Sequence, residues 1–483
     1  MLGRSCAGVV LFVAATLAHA VESPLRLPES WAALELESVP QAREPLPDRS
    51  ADIEARKSYA IPAAEIVIFD TLLNQWDRHH EPCCDYDSNL RTIRRNLRSS
   101  WVVDSDPFVV NQLGHPYQGS MYMGFARASG LNFWEGLGYT FLGSAFWEVA
   151  GETSPPSRND QVASGIGGSF LGEALFRMSN LVLEHDALPP FWRELAAAAI
   201  SPPVGFNRLA FGERFANVLP SRDPVYFTRL QVGFSGTAGD DATGVSTTKL
   251  EKNELLTDFF IDYGLPGKAD YEYTRPFDYF SFQATASSAN GFENVLTRGL
   301  LWGRAYGEDV RYRGIWGVYG NYDYIAPQTY RISTTGVSLG TTGEWRMGGH
   351  MALQGTVLLG TGYAAAGTVR SSDANDFHYG VAPQALVALR WVFGTRAAID
   401  VTAREYYVSR LAAAARGGHE NIARADAAFT WRIEGPHAIS IKYLGNRRDS
   451  SYPDIGGMRQ QRQTIGIFYT YLGHDRFGYV PWK

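Results

Sequence analysis

At 483 residues the chain is long enough for more than one domain, and 44 basic against 50 acidic side chains leave a net charge of −6. That balance provides no global basic field for nucleic acid, and three cysteines are too few for a disulfide-stapled fold. Beyond the amino-terminal leader no stretch reaches the roughly 20 unbroken apolar residues of a spanning helix, so membrane residence would have to come from strands.

Arg4, an apolar run over 7–17 and the small-residue tripeptide Ala18-His19-Ala20 have the form of an export signal, with cleavage expected after Ala20. Residues 21–62 are rich in Pro, Glu, Arg and Ala without a sustained period and read as a flexible leader. Cys83 and Cys84 follow as neighbours: either a vicinal disulfide, a redox or metal pair, or two ordinary buried thiols.

A helical module is expected over 63–217. Helical patterns cover 63–76, 88–98, 134–150, 160–183 and 190–200. Arg91, Arg94, Arg95 and Arg98 share one face of the second of these. They form either a lipid-phosphate site, since guanidinium pairs with phosphate oxygens, or a solvated stripe. Gly168 and Gly172, four apart, would let two helix backbones approach closely.

The densest polar cluster lies in the stretches 111–127, 147–161 and 167–173, with His115, Glu148, Glu152 and Asp160 as candidate catalytic or metal-binding residues. Two carboxylates four apart on a helix share a face, and with an imidazole folded back they would bind a divalent cation or act as acid and base. The spacing matches no zinc signature, and the identity of any metal or cofactor is left open. The competing reading is a satisfied network in which Arg127, Arg177 and Arg208 pair with Glu148, Glu152 and Glu173, and Ser157 to Asp160 form a capping box.

Four ordered motifs here, NQLGHPYQGSMYMGFAR, FWEVAGETSPPSRNDQ, GIGGSFLGEALFR and SPPVGFNRLAFG, resemble a bacterial outer-membrane family catalogued as domain of unknown function 3943. The resemblance implies an exported outer-membrane protein and supplies no catalytic residues. Gly205-Phe206-Asn207-Arg208 resembles the GxNR portion of the outer-membrane phospholipase A pattern, but the serine-bearing stretch is missing, and Gly205 and Asn207 read as a turn.

From 218 to 483 every other residue is apolar in segment after segment, which predicts an antiparallel outer-membrane β-barrel of about twelve strands. Ala425, Ala427, Phe429, Trp431 and Ile433 would meet lipid, while Asp426, Thr430, Arg432 and Glu434 face the lumen. A soluble sandwich would carry more Lys and Glu on its polar face. Lumen charges of both signs, among them Arg229, Asp258, Asp262, Arg313, Asp400, Arg404 and Lys442, predict salt-bridged filling. Segment 295–306 is irregular, since Arg298 and Arg304 fall on one face with Leu300 and Trp302.

The expected whole is a mainly β protein, a barrel with a small α-helical module at its periplasmic side or in its mouth. Its expected partners are outer-membrane lipids and the barrel-assembly machinery, and not nucleic acid. Three roles are open: a structural or lipid-associated protein, an envelope enzyme using the His/Glu/Asp cluster, or a pore for small solutes plugged by the module.

Overall fold

The computed structural model describes residues 56–80, 84–104, 106–184, 188–215, 219–243, 251–268, 271–307, 311–348, 351–367, 377–409, 418–453, 456–473 and 477–478. The expected signal peptide, most of the leader and Cys83 lie outside them.

Among the described residues seven α-helices longer than one turn precede the barrel: α1 (Ala60–His80), α2 (Leu90–Asn96), α3 (His115–Ala128), α4 (Phe133–Phe146), α5 (Gly168–Leu183), α6 (Pro190–Ile200) and α7 (Pro202–Phe211). Asn89 and Asn132 cap α2 and α4, each with a reciprocal bond from the third helical residue, Thr92 and Glu135. Prolines at the first positions of α3, α6 and α7 fit where no intrahelical donor is needed. The stretch with Gly205 and Asn207 is therefore helix α7 and not a turn. Gly205 is required by closeness to α6, since a Cβ there would stand 2.3 Å from the Ala198 Cβ, and Asn207 donates to Ser129 Oγ at 3.1 Å.

Helix α5 packs on α3 through glycines, as the four-residue spacing predicts. A Cβ at Gly168 would lie 2.6 Å from the Gly119 Cα, and one at Gly172 would lie 2.7 Å from the Met123 Cβ. Glu173 is buried between Arg127 at 2.6 Å and Arg177 at 2.8 Å. Burial alone would raise its pKa, but the two guanidiniums outweigh burial and hold the carboxyl below its ordinary value. Arg208 does not join this network; it pairs with Glu194.

Twelve antiparallel strands close into a barrel, β1 (Tyr226–Thr243) pairing with both β2 (Asn253–Tyr263) and β12 (Gly456–Leu472). Between them run β3 (Phe280–Ser287), β4 (Asn294–Tyr306), β5 (Tyr312–Ile325), β6 (Ile332–Gly348), β7 (Met351–Gly367), β8 (Phe377–Phe393), β9 (Ala397–Val408), β10 (His419–Glu434) and β11 (His437–Tyr452). A bulge between Leu300 and Trp302 explains the irregular β4: Arg298 points inward to Asp323 at 2.7 Å, and Trp302 points outward.

Ion pairs cross the lumen. Arg390 reaches Asp400 at 2.7 Å and Asp262 at 3.4 Å, Arg229 reaches Asp400 at 3.1 Å, and Lys442 stands 3.8 Å from Asp258. A cavity of about 90 Å³ remains among these groups. At the end where β12 finishes, Phe477 packs with Phe227, Leu265 and Leu472 inside the barrel, beneath the Arg432 guanidinium.

The helical module occupies neither mouth nor lumen. Along β5, Asn321 and Asp323 face the lumen, where they bind Gln384 and Arg298, so Tyr322 and Tyr324 between them face outward. Those outward tyrosines are buried by the helices: Tyr322 donates to the Gln112 carbonyl at 2.6 Å, and Phe108 packs on Tyr324. Likewise a Cβ at Gly167 would stand 2.8 Å from the Thr335 Oγ1, and one at Gly320 would stand 2.5 Å from the Phe170 ring. The module is thus docked on the outer wall across β2 to β8, sharing one apolar core with Phe259, Ile261, Phe280, Phe282 and Tyr379. The expected mouth or plug position is corrected by this alternation.

Candidate functional site

Three π-helical segments, Val110–Gly114, Trp147–Gly151 and Gln161–Gly167, converge on the polar cluster. The extra residue in a π turn rotates the side chains that follow, and such turns recur at functional sites. His115 opens α3 directly after the first segment, Glu148 lies within the second and Glu152 just beyond it, and Asp160 immediately precedes the third. Helical backbone runs through Gly151 as a π turn and ends there; Glu152 is extended, so the two glutamates meet without sharing a regular α-helical face.

One ligand atom from each of His115, Glu148 and Glu152 lies within 4.8 Å of the others, and all three residues are buried. Asp160 Oδ1 is 3.8 Å from His115 Nε2, and Ser164 Oγ is 3.4 Å from Nδ1. Glu152 accepts from Trp147 Nε1 at 2.8 Å and from Ser154 Oγ at 3.0 Å. Glu148 Oε2 accepts from the Ser157 amide at 2.7 Å, whereas its Oε1 has no hydrogen-bond partner among the described residues. The capping box is half formed: Ser157 Oγ accepts from the Asp160 amide at 3.2 Å, but the Ser157 amide goes to Glu148 and not to Asp160.

Asp104 completes the wall, accepting from Asn111 at 2.6 Å and Asn159 at 3.1 Å. Asn159 in turn donates to the Tyr379 hydroxyl on β8 at 2.9 Å, so the barrel wall itself closes one side of the cluster. Asp104, Trp147 and Tyr379 were not singled out from the sequence.

The cluster concentrates negative charge. Burial, and then the neighbouring Glu152 charge, push the Glu148 carboxyl up to about 9. Burial, and then the charges of Asp104 and Glu148, raise Asp160 well above the carboxylate range. Glu152 is raised by burial against the opposing pull of His115 and the Trp147 hydrogen bond. His115 is lowered by burial, which Glu152 and Asp104 oppose. Among the described residues no Arg or Lys pairs with Asp104, Glu148, Glu152 or Asp160; the arginines offered by the sequence serve Glu173 and Glu194. Such a set needs protons or a cation, and imidazole with carboxylates suits a divalent ion of the zinc, iron or manganese kind.

Arg91, Arg94, Arg95 and Arg98 do share one face, lining an open cleft with Ser99. Arg95 also donates to the Thr153 carbonyl, and Asn96 donates to the Glu152 carbonyl at 3.0 Å, so α2 adjoins the acidic cluster. Among the described residues none of the four arginines forms an ion pair.

Residues 100–203 match the family model described as Domain of unknown function (DUF3943). No curated protein matches the chain. Among solved structures, the NanC porin is similar at 10% identity over 50% of this chain and 98% of its own, with a TM-score of 0.24. The outer-membrane channel DcaP of Acinetobacter baumannii is similar at 6% identity over 51% of this chain and 96% of its own, also with a TM-score of 0.24. At these scores neither likeness carries a functional argument. The site therefore lies within the segment that matches the DUF3943 model, and that segment packs on the outer wall of a closed twelve-stranded antiparallel β-barrel.

Proposed function

We propose that the protein is an outer-membrane metalloprotein in which the barrel is the anchor and the helical domain holds a divalent cation through His115, Glu148 and Glu152, with Asp160 orienting the imidazole. The observation that carries this reading is the approach of one Glu148 carboxylate oxygen to within 4.8 Å of ligand atoms from the other two residues, in a buried carboxyl whose Oε1 has no hydrogen-bond partner among the described residues. A cation there would neutralise carboxylates that otherwise must take up protons. An even strand number and an outward apolar band support residence in the outer membrane. The ion pairs across the lumen and the Phe477 cluster favour an anchor over a conduit.

A second reading, an envelope enzyme acting on lipid or glycan, draws on the same cluster. Glu148, held protonated near neutral pH, has the state a general acid needs, and π turns flank it on both sides.

Elemental analysis of detergent-purified full-length protein after metal exposure and desalting tests the first reading. About one equivalent of zinc, manganese or iron should be retained, and lost in Glu148→Gln and His115→Ala variants that keep the heat-modifiable mobility of a folded barrel. Equal metal in wild type and both variants would overturn it.

A further inference from the structure

Outward residues of a membrane barrel form a lipid-facing band, and here that band runs through Phe429, Trp431, Ile439, Ile441, Ile465 and Ile467 on β10 to β12, all exposed. It continues on β1 with Val232 and Phe234, and on β4 to β6 with Trp302, Trp316 and Leu339. Between these two sectors, on β2 and β3, the corresponding Phe259, Ile261, Phe280 and Phe282 are buried beneath the helical domain. A bilayer surrounding the barrel must meet the helical domain there.

The domain presents an apolar surface on its α6–α7 hairpin. Helix α6 turns Ala196, Ala197 and Ile200 inward and leaves Phe191, Trp192 and Leu195 exposed. Helix α7 buries Pro203, Val204 and Asn207 and leaves Phe206, Leu209 and Phe211 exposed, Leu209 at 87%. Only Ser201 separates the two helices, which therefore form a hairpin with arms of 11 and 10 residues. Each arm is about 16 Å long, roughly half a hydrocarbon core, and no described helix is long and apolar enough to cross a membrane. Arg208 and Glu194 neutralise each other across the hairpin in a two-pronged pair at 2.7 and 2.5 Å.

We propose that the α6–α7 hairpin is a bilayer-contacting element, its exposed face seated against phospholipid acyl chains in continuity with the barrel's own band. The helical domain is then held laterally in the membrane beside the barrel, not suspended from one rim. This inference does not depend on a cation at the His115 cluster.

The test places an environment-sensitive nitrobenzoxadiazole probe on Leu209→Cys, and separately on Phe206→Cys, in full-length protein with Cys6, Cys83 and Cys84 replaced by serine. The protein is reconstituted in phosphatidylcholine vesicles with and without doxyl-labelled phosphatidylcholine. Ile467→Cys on β12 reports the lipid band, and Arg447→Cys, at the far end of β11, reports the exposed region. The hairpin probes should be quenched by doxyl lipid to within about twofold of Ile467 and at least threefold more than Arg447. Quenching no greater than at Arg447 would overturn the proposal. So would probes shielded from both doxyl lipid and aqueous iodide, an outcome that would assign the face to a second copy of the chain.

Discussion

Arg177 Nη1 lies 3.1 Å from Asp278 Oδ1, and this buried ion pair joins helix α5 to the loop between β2 and β3. Both side chains are withdrawn from water, and the guanidinium also pairs with Glu173 at 2.8 Å and donates to the Pro276 carbonyl at 2.6 Å. Without the guanidinium, Asp278 keeps Arg275 and Glu173 keeps Arg127, so the loss is of charge-assisted hydrogen bonds, about 1.5–3 kcal/mol. Arg177→Met should therefore loosen the helical domain from the wall, read as rapid proteolysis within 60–215 while the barrel keeps its heat-modifiable mobility. Equal protease resistance in wild type and variant would show that the pair does not secure the domain.

The acidic cluster sets a pH dependence. Glu148 titrates near 9 in the folded protein against 4.5 for an ordinary glutamate, so the folded state binds more protons between these values. The stabilising contribution of its protonation is complete below about 4.5 and is lost as pH rises through about 9. Without metal, the helical domain should melt at lower temperature at pH 9 than at pH 6, and Glu148→Gln should flatten that slope. With zinc or manganese the sign reverses, since the cation binds the deprotonated form, and affinity should rise with pH. Denaturation followed by circular dichroism at both pH values, with and without metal, checks each sign.

Close packing of α5 on α3 leaves no room at Gly168. A methyl group there would stand 2.6 Å from the Gly119 Cα and 3.0 Å from the Pro116 carbonyl oxygen, both backbone atoms. Gly168→Ala should cost about 1–3 kcal/mol by forcing the helices apart. Because α3 begins at His115, the same variant should weaken metal retention without touching a ligand. A domain melting temperature unchanged from wild type would refute the close approach.

Four arginines on one open face, none in an ion pair among the described residues, give α2 a site for anionic headgroups, each arginine contributing about 1 kcal/mol at a membrane surface. Replacing Arg91, Arg94 and Arg98 with alanine should reduce co-purified anionic lipid, measured by mass spectrometry, and leave metal content unchanged. Unaltered lipid retention would return the stripe to a solvated face.

The barrel was legible in the sequence because a period of two survives wherever one face is dry and the other wet, as in β10 to β12. The lumenal ion pairs followed from the same alternation. The docking of the helical domain on the outer wall was not legible, since Phe280 and Phe282 must be apolar whether lipid or helix covers them. Gly205 and Asn207 lie in a helix and not in the expected turn: glycine and asparagine signal turns locally, whereas here Gly205 serves helix contact and Asn207 a buried bond to Ser129. His115, Glu148, Glu152 and Asp160 were identifiable as polar residues in apolar helices, but their convergence depends on three π turns that leave no clear periodic signature.

The most direct test is an anomalous-difference map from crystals of the full-length protein loaded with zinc or manganese. The account predicts one strong peak about 2.0–2.2 Å from His115 nitrogen and from oxygens of Glu148 and Glu152, within a helical domain packed on the outside of β2 to β8. Fully metal-loaded crystals with no peak at this cluster, or helices lying inside the lumen, would contradict it.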